Sequence, residues 1–221
     1  MITFSVQNCI SGQLPLLKIA VFASGRGSNF QALAEAISTE NIDARIVVVI
    51  SNNSNAGALA LARSLHIPAL HLSQIQFPSQ DAFTQSILST LESYGVDLIV
   101  LAGYMKKIDP AIIRRYRNRI INVHPALLPS FGGQGMYGHF VHEAVIAQGA
   151  VRSGATVHIV DEEFDHGPII LQESIPVDSN DTPDTLAEKV LRIEHKILPK
   201  AVEMFANNTI AIGNGSARTD N

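Results

Sequence analysis

The sequence predicts an α/β fold: a doubly wound, mostly parallel sheet, followed by a C-terminal antiparallel strand pair and a long C-terminal helix. Three observations carry this. Strand-like and helix-like segments alternate through residue 124, each strand–helix unit taking about 25 residues. Segments 45–50 and 97–102 are almost unbroken apolar runs, as strands buried on both faces must be. The pattern then changes, and two strand-like runs flank a short acidic turn, which favours antiparallel pairing.

Each element has its own signal. Residues 18–23 form a short apolar run that ends at Ser24-Gly25-Arg26-Gly27. Residues 28–39 carry apolar side chains at helical spacing, 45–50 are nearly all β-branched, and 56–65 are again helical. A short strand at 69–72 and an amphipathic helix at 81–94 lead to the buried strand 97–102. Asp109 and Pro110 mark the start of a helix over 110–116, as N-cap and first helical residue. A fifth strand, 119–123, is stopped by Pro125. Residues 128–138 are Gly-rich, and 139–148 return to helical spacing. Strands at 155–160 and 169–177 enclose the acidic turn, and 185–206 form the last helix. The spacing gives one domain over 18–206. Residues 1–17 read as an N-terminal extension, and the polar, Gly-containing stretch 207–221 as a frayed, disordered tail.

Composition removes several classes of function. Of 221 residues, 46% are hydrophobic and 16% charged, which excludes a disordered or coiled-coil chain. Sixteen Lys and Arg against 20 Asp and Glu leave a net charge of −4, so a dedicated nucleic-acid binder is not expected. The single cysteine, Cys9, allows neither an internal disulfide nor a cysteine-based zinc site. No apolar run approaches the ~18 residues of a membrane span. Residues 1–13 contain no Lys or Arg and do not read as a signal peptide, so the expected setting is cytoplasmic.

The Gly25–Asn29 turn joins a strand to a helix, where exposed backbone N–H groups suit an anion. It lacks the third glycine of a dinucleotide fingerprint, having Phe30 there, and Ser51-Asn52-Asn53 replaces the expected ribose-binding acid. Nor does Gly-Lys-Ser/Thr follow. A terminal phosphate on a small substrate remains, and Ser28 and Asn29, at a helix start after two glycines, are placed to serve it. Valine at Gly27 is expected to crowd this loop and weaken such binding.

Asn122 and His124 lie two apart at the carboxyl end of a strand and so share one side. An amide donor beside an imidazole suits a carbonyl that becomes an oxyanion. The turn Asp161-Glu162-Glu163-Phe164-Asp165 offers carboxylates that would raise the His124 pKa by favouring the imidazolium. His139, His142 and Glu143 do not fit the His-Glu-x-x-His zinc pattern, and no Gly-x-Ser-x-Gly elbow occurs.

These segments occur in one order: Ser24–Asn29, Leu101-Ala102-Gly103-Tyr104-Met105, the run Asn122-Val123-His124-Pro125-Ala126-Leu127-Leu128-Pro129-Ser130-Phe131, and Asp165-His166-Gly167-Pro168-Ile169-Ile170. Together they resemble the folate-dependent formyltransferases, in particular the phosphoribosylglycinamide formyltransferase family of purine synthesis. Glu194-His195 followed by Pro199 adds to that likeness, which runs from Lys18 to Ala206. The resemblance implies a Rossmann-like formyltransferase fold. It also implies transfer of the formyl group of 10-formyltetrahydrofolate to the amine of glycinamide ribonucleotide through a tetrahedral intermediate, with no metal. On that resemblance Asn122 holds the oxyanion, His124 moves the proton and Asp165 tunes it. Gly27, Ser28 and Asn29 take the phosphate and Glu194 the ribose hydroxyls. Met105, Lys106, Lys107, Ile108 and Asn122 line the folate pocket with Asp161, Glu162, Glu163, Phe164 and Asp165. Two positions depart from the family: Lys107 replaces an apolar residue, and Gln80 aligns with an arginine. The alternative reading is a formyltetrahydrofolate deformylase, which shares the catalytic run but usually adds an N-terminal domain. Methionyl-tRNA formyltransferase adds a C-terminal one. A catalytically silent phosphosugar-binding module is disfavoured by the intact Asn122, His124 and Asp165. Oligomeric state has no signature in the sequence.

Overall fold

The computed structural model describes residues 15–213 and 216–219. Its centre is a seven-stranded sheet in the order β3-β2-β1-β4-β5-β6-β7. Strands β1 (Leu17–Phe22), β2 (Ala44–Ser51), β3 (Ala69–His71), β4 (Leu98–Leu101) and β5 (Ile120–His124) run parallel. Strand β6 (Arg152–Ile159) is antiparallel to β5, and β7 (Ile169–Pro176) is antiparallel to β6. The fold is the doubly wound, mostly parallel α/β architecture that the alternation predicts.

Period-2 alternation divides the apolar side chains between two layers. Ile19, Val21, Leu98, Val100, Ile121 and Val123 face helices α1 (Ser28–Thr39), α2 (Gly57–Ser64), α5 (His139–Ala147) and α6 (Pro183–Ala206). Ala20, Phe22, Ile99, Leu101 and Ile120 face α3 (Gln80–Ser93) and α4 (Pro110–Arg115). β2 and β4 are sandwiched in this way, which is why their sequences read as continuous apolar runs.

Local signals fix the helix starts. Ser79 accepts from the Ala82 N–H at the head of α3, and Asp109 from the Ala111 N–H at the head of α4. Thr182 and Thr185 form a capping box on α6, with Pro183 at the first helical position. The cap explains why α6 begins two residues before the apolar periodicity does. Its buried stripe includes Leu186, Val190, Ile197, Leu198, Ala201 and Val202, and Pro199 is accommodated inside it.

Two expectations need correction. Strand β6 starts at Arg152 rather than 155, because pairing with β7 continues through Gly154 although the apolar run does not. Within the stretch expected to fray, β8 (Ile210–Gly213) and β9 (Ser216–Thr219) pair antiparallel. The expected extension 1–17 contributes Leu17 to β1, and residues 1–14 lie outside those described.

Chain order reverses between β1 and β4, which leaves a crevice at their carboxyl ends. The turns that follow these two strands are tied together there. Ser24 Oγ donates to Asn52 Oδ1 at 2.5 Å and accepts from the Met105 N–H at 2.8 Å.

Candidate active site

That crevice opens into a cleft of about 740 Å³, walled by the turns after β1, β4 and β5, the Gly-rich loop, the acidic turn and one face of α6. The volume suits a drug-sized or cofactor-sized ligand. Among the lining residues are Ser28, Asn29, Met105, Lys106, Lys107, Ile108, Asn122, His124, Asp161, Glu163, Phe164, Asp165 and Glu194. Segments more than 160 residues apart in sequence thus share one cavity, as the bond from Asn29 to Glu194 shows.

The reacting end is built on two sheet rows. Asn122 pairs with His158 and His124 with Thr156 across β5 and β6, so these polar groups share one face. The acidic turn after β6 then delivers Asp165 to that face. His124 Nδ1 lies 3.5 Å from Asp165 Oδ2, while its Nε2 bonds the Phe131 carbonyl at 2.8 Å. A carbonyl only accepts, so Nε2 carries the hydrogen and Nδ1 is the atom that takes or gives a proton. His158 Nδ1 bonds the Ile159 carbonyl at 2.8 Å, which leaves its Nε2 to accept from Asn122 Nδ2 at 3.1 Å. The second Asn122 amide hydrogen faces Asp165 Oδ1 at 3.4 Å, a long contact that an incoming oxygen can replace.

The electrostatics depart from the sequence reading. Burial pushes the His124 pKa down, Asp165 and the Phe131 carbonyl push it up, and burial prevails. The expectation of a raised pKa fails because the ring is 3% exposed and desolvation penalises the imidazolium. Asp165 is also desolvated, which raises its pKa. The His158 and His124 rings, in their protonated form, and the Gly133 N–H at 3.0 Å outweigh that and keep the carboxyl below its usual range. Thus a buried carboxylate faces a neutral ring across a short gap.

The other half of the cleft is formed by α1 and α6. Gly27 is the N-cap of α1 at φ 88°, and Gln31 N–H makes the first helical bond to the Gly27 carbonyl. The N–H groups of Ser28, Asn29 and Phe30 precede that bond and form an anion-accepting helix start. Asn29 Nδ2 donates to Glu194 Oε2 at 2.5 Å, and Asn29 Oδ1 is buried without a partner among the described residues. Burial raises the Glu194 pKa to about 7, against the pull of Asn29.

Two sequence-derived positions differ from expectation. Gly27 does not line the cleft: a Cβ there would meet Ala58 Cα and Cβ at 2.9 Å, so its role is to let α1 and α2 approach. A valine would therefore strike the fold rather than crowd a ligand. Glu162 turns outward and pairs with Arg114 at 3.9 Å. Asp161 lines the cleft, but its carboxylate binds His166 Nδ1 at 2.8 Å and the Glu163 N–H at 2.9 Å. Lys107 reaches over the Phe164 ring, 5.1 Å from its centroid, at the mouth. Gln80 lies on α3 bonded to Asp109 and Thr84, and does not line the cleft.

Sequence reading missed His158, the Phe131 carbonyl and the Gly133 N–H. His158 had a usable signal, since a histidine within a buried strand demands a partner. The two backbone groups had none. Arg26, Tyr137 and His142 also line the cleft. Among the described residues, no group of three or more His, Cys, Asp or Glu side chains is arranged to hold a metal ion.

The same architecture occurs in known proteins. A family model described as formyl transferase matches residues 17–202. A chloroplastic phosphoribosylglycinamide formyltransferase from Arabidopsis thaliana is 42% identical over 194 residues, covering 87% of this chain and 66% of that protein. The phosphoribosylglycinamide formyltransferase of Bacillus subtilis is 38% identical, over 85% of this chain and 94% of its own. This chain therefore spans just under two thirds of the plant relative and nearly all of the bacterial one. The crystal structure of glycinamide ribonucleotide transformylase 1 from Symbiobacterium toebii superposes with a TM-score of 0.88 at 36% identity, covering 98% of this chain and 99% of that one.

Proposed function

This chain belongs to the formyl transferase family, and from that premise we propose that it moves the formyl group of 10-formyltetrahydrofolate to the amine of 5'-phosphoribosylglycinamide, a step of purine synthesis. The observation that carries the proposal is one cleft holding both a helix-start anion site with Asn29 and Glu194 and, at its other end, Asn122, His124 and Asp165. When bound, the folate supplies an electrophilic formyl carbon that the nucleotide amine attacks.

The residues divide the work. Ser28 and Asn29 receive the nucleotide phosphate at the α1 start, supported from behind by Gly27. Glu194 accepts ribose hydroxyls, and the unpartnered Asn29 Oδ1 supplies a second acceptor. Asn122 turns an amide hydrogen from Asp165 towards the developing oxyanion. His124 Nδ1 takes the proton that the amine loses, the Asp165 carboxylate stabilises the imidazolium so formed, and the ring then returns that proton to the folate nitrogen as its bond to the formyl carbon breaks and tetrahydrofolate leaves. Met105, Ile108 and Phe164 give the folate an apolar slot, walled by Asp161, Glu163 and Asp165 of the acidic turn. Lys106 and Lys107 offer positive charge at its mouth.

We take residues 18–206 as the formyltransferase domain. We assign the protein to the cytoplasm, which suits its single cysteine, Cys9. No described helix is long and apolar enough to cross a membrane. The test is to mix the protein with 10-formyltetrahydrofolate, with and without glycinamide ribonucleotide. Tetrahydrofolate release should require the nucleotide. Release at the same rate without it would instead identify a deformylase.

A further inference from the structure

Next to the reacting groups lies a set of polar side chains that touch neither substrate in the scheme above. His124, Thr156 and Gln172 form one row across the sheet, because His124 pairs with Thr156 and Thr156 with Gln172. A fully buried strand position normally takes valine or isoleucine, yet Thr156 is 0% exposed. Its hydroxyl donates to the Ala126 carbonyl at 2.6 Å and accepts from the Leu128 N–H at 3.2 Å and from Gln172 Nε2 at 2.9 Å. One proton and two lone pairs are thereby all used. Gln172 Nε2 also donates to the Leu128 carbonyl at 3.0 Å, so both backbone groups of Leu128 are fixed.

The clamped segment begins two residues after His124 and leads directly to Phe131, whose carbonyl holds His124 Nε2. We propose that Thr156 and Gln172 are positioning residues for the transfer step: they clamp Ala126–Leu128, and through it set the Phe131 carbonyl that fixes the His124 ring and leaves Nδ1 towards Asp165. The inference rests on the formyl transfer reading of this site. Valine matches threonine in shape and would pack as well in a merely apolar strand. Three saturated hydrogen bonds instead select a single loop path. The nucleotide half of the cleft stands on α1 and α6, so it does not depend on this clamp.

The test uses Thr156→Val, Thr156→Ser and Gln172→Leu in the full chain. Readouts are kcat, KM for each substrate, and the NMR signal of the His124 Nε2 proton, which the Phe131 carbonyl shelters from exchange. Thr156→Val should lower kcat by about 10- to 100-fold, as a small misplacement of a reacting group does. The nucleotide KM should hold, and the sheltered proton signal should be lost. Thr156→Ser should restore both. Gln172→Leu should show the same changes to a lesser degree. Because β7 is the sheet edge, this variant decides the matter by the same readouts if Thr156→Val does not fold. The clamp is overturned if a folded Thr156→Val keeps its kcat and its Nε2 signal, or if serine fails to rescue. The proton signal needs no substrate, so absence of formyl transfer in the wild type would sink the functional reading and still leave the clamp to be judged.

Discussion

His124 and Asp165 answer to opposing forces at the scale of single atoms. Burial lowers the imidazole pKa, and the carboxylate at 3.5 Å partly restores it. Replacing Asp165 with asparagine removes that restoring charge while keeping the size. The backbone tolerates it too, since Asp165 sits at φ 51° and asparagine accepts left-handed geometry at least as well. The His124 titration should then fall further below its ordinary value, and turnover should slow by about 10²- to 10⁴-fold. Asn122→Ala should slow turnover similarly by removing an oxyanion donor, yet leave the titration almost in place. NMR titration of His124 beside the rates checks both. A His124 midpoint indifferent to Asp165→Asn would remove Asp165 from the mechanism.

At the scale of elements, the phosphate turn is governed by how closely α1 and α2 approach. Gly27 combines positive φ with an α-carbon set against Ala58, while Gly25 has open space around it. Gly27→Ala should cost about 2–4 kcal/mol, from left-handed strain together with overpacking. Gly25→Ala should cost well under 1 kcal/mol. Urea unfolding of both variants separates them, and equal stabilities would mean that the helices have slack to give. The position is thus structural first, and any loss of nucleotide binding follows from a displaced helix start.

Buried ionisable groups set the pH response of the whole molecule. Burial, with His139 and His124 nearby, lowers the His142 pKa to about 4. The unfolded chain therefore binds more protons than the folded one between about pH 4 and 6.5, and stability conferred by the neutral ring is lost as pH falls through that window. The size is about 3 kcal/mol. Glu194 works the other way: its raised pKa makes the folded chain the better proton binder, so its cost grows as pH rises towards about 7. The two partly cancel in the wild type. His142→Gln uncovers the first, and its stability relative to wild type should improve by up to that amount between pH 7 and about pH 4.5. Denaturant melts at both pH values test it, and parallel behaviour of the two proteins would rule out a buried neutral His142.

The layers and the chemistry on each strand were legible in the chain alone. Apolar alternation forces Ile19 and Val21 to one helix layer and Ala20 and Phe22 to the other, and Asn122 and His124 to a common side. Asp109-Pro110 could start a helix in any context, because capping is local. The remaining contacts depend on how the elements pack. Asp165 meets His124 only because β6 turns back antiparallel, and Asn29 meets Glu194 only because α6 packs on α1. His158, Phe131 and Gly133 joined the site through strand register and loop path, neither of which leaves a periodic trace in the chain. The direction of the His124 shift followed from desolvation, a property of the closed interior that no spacing of residues encodes.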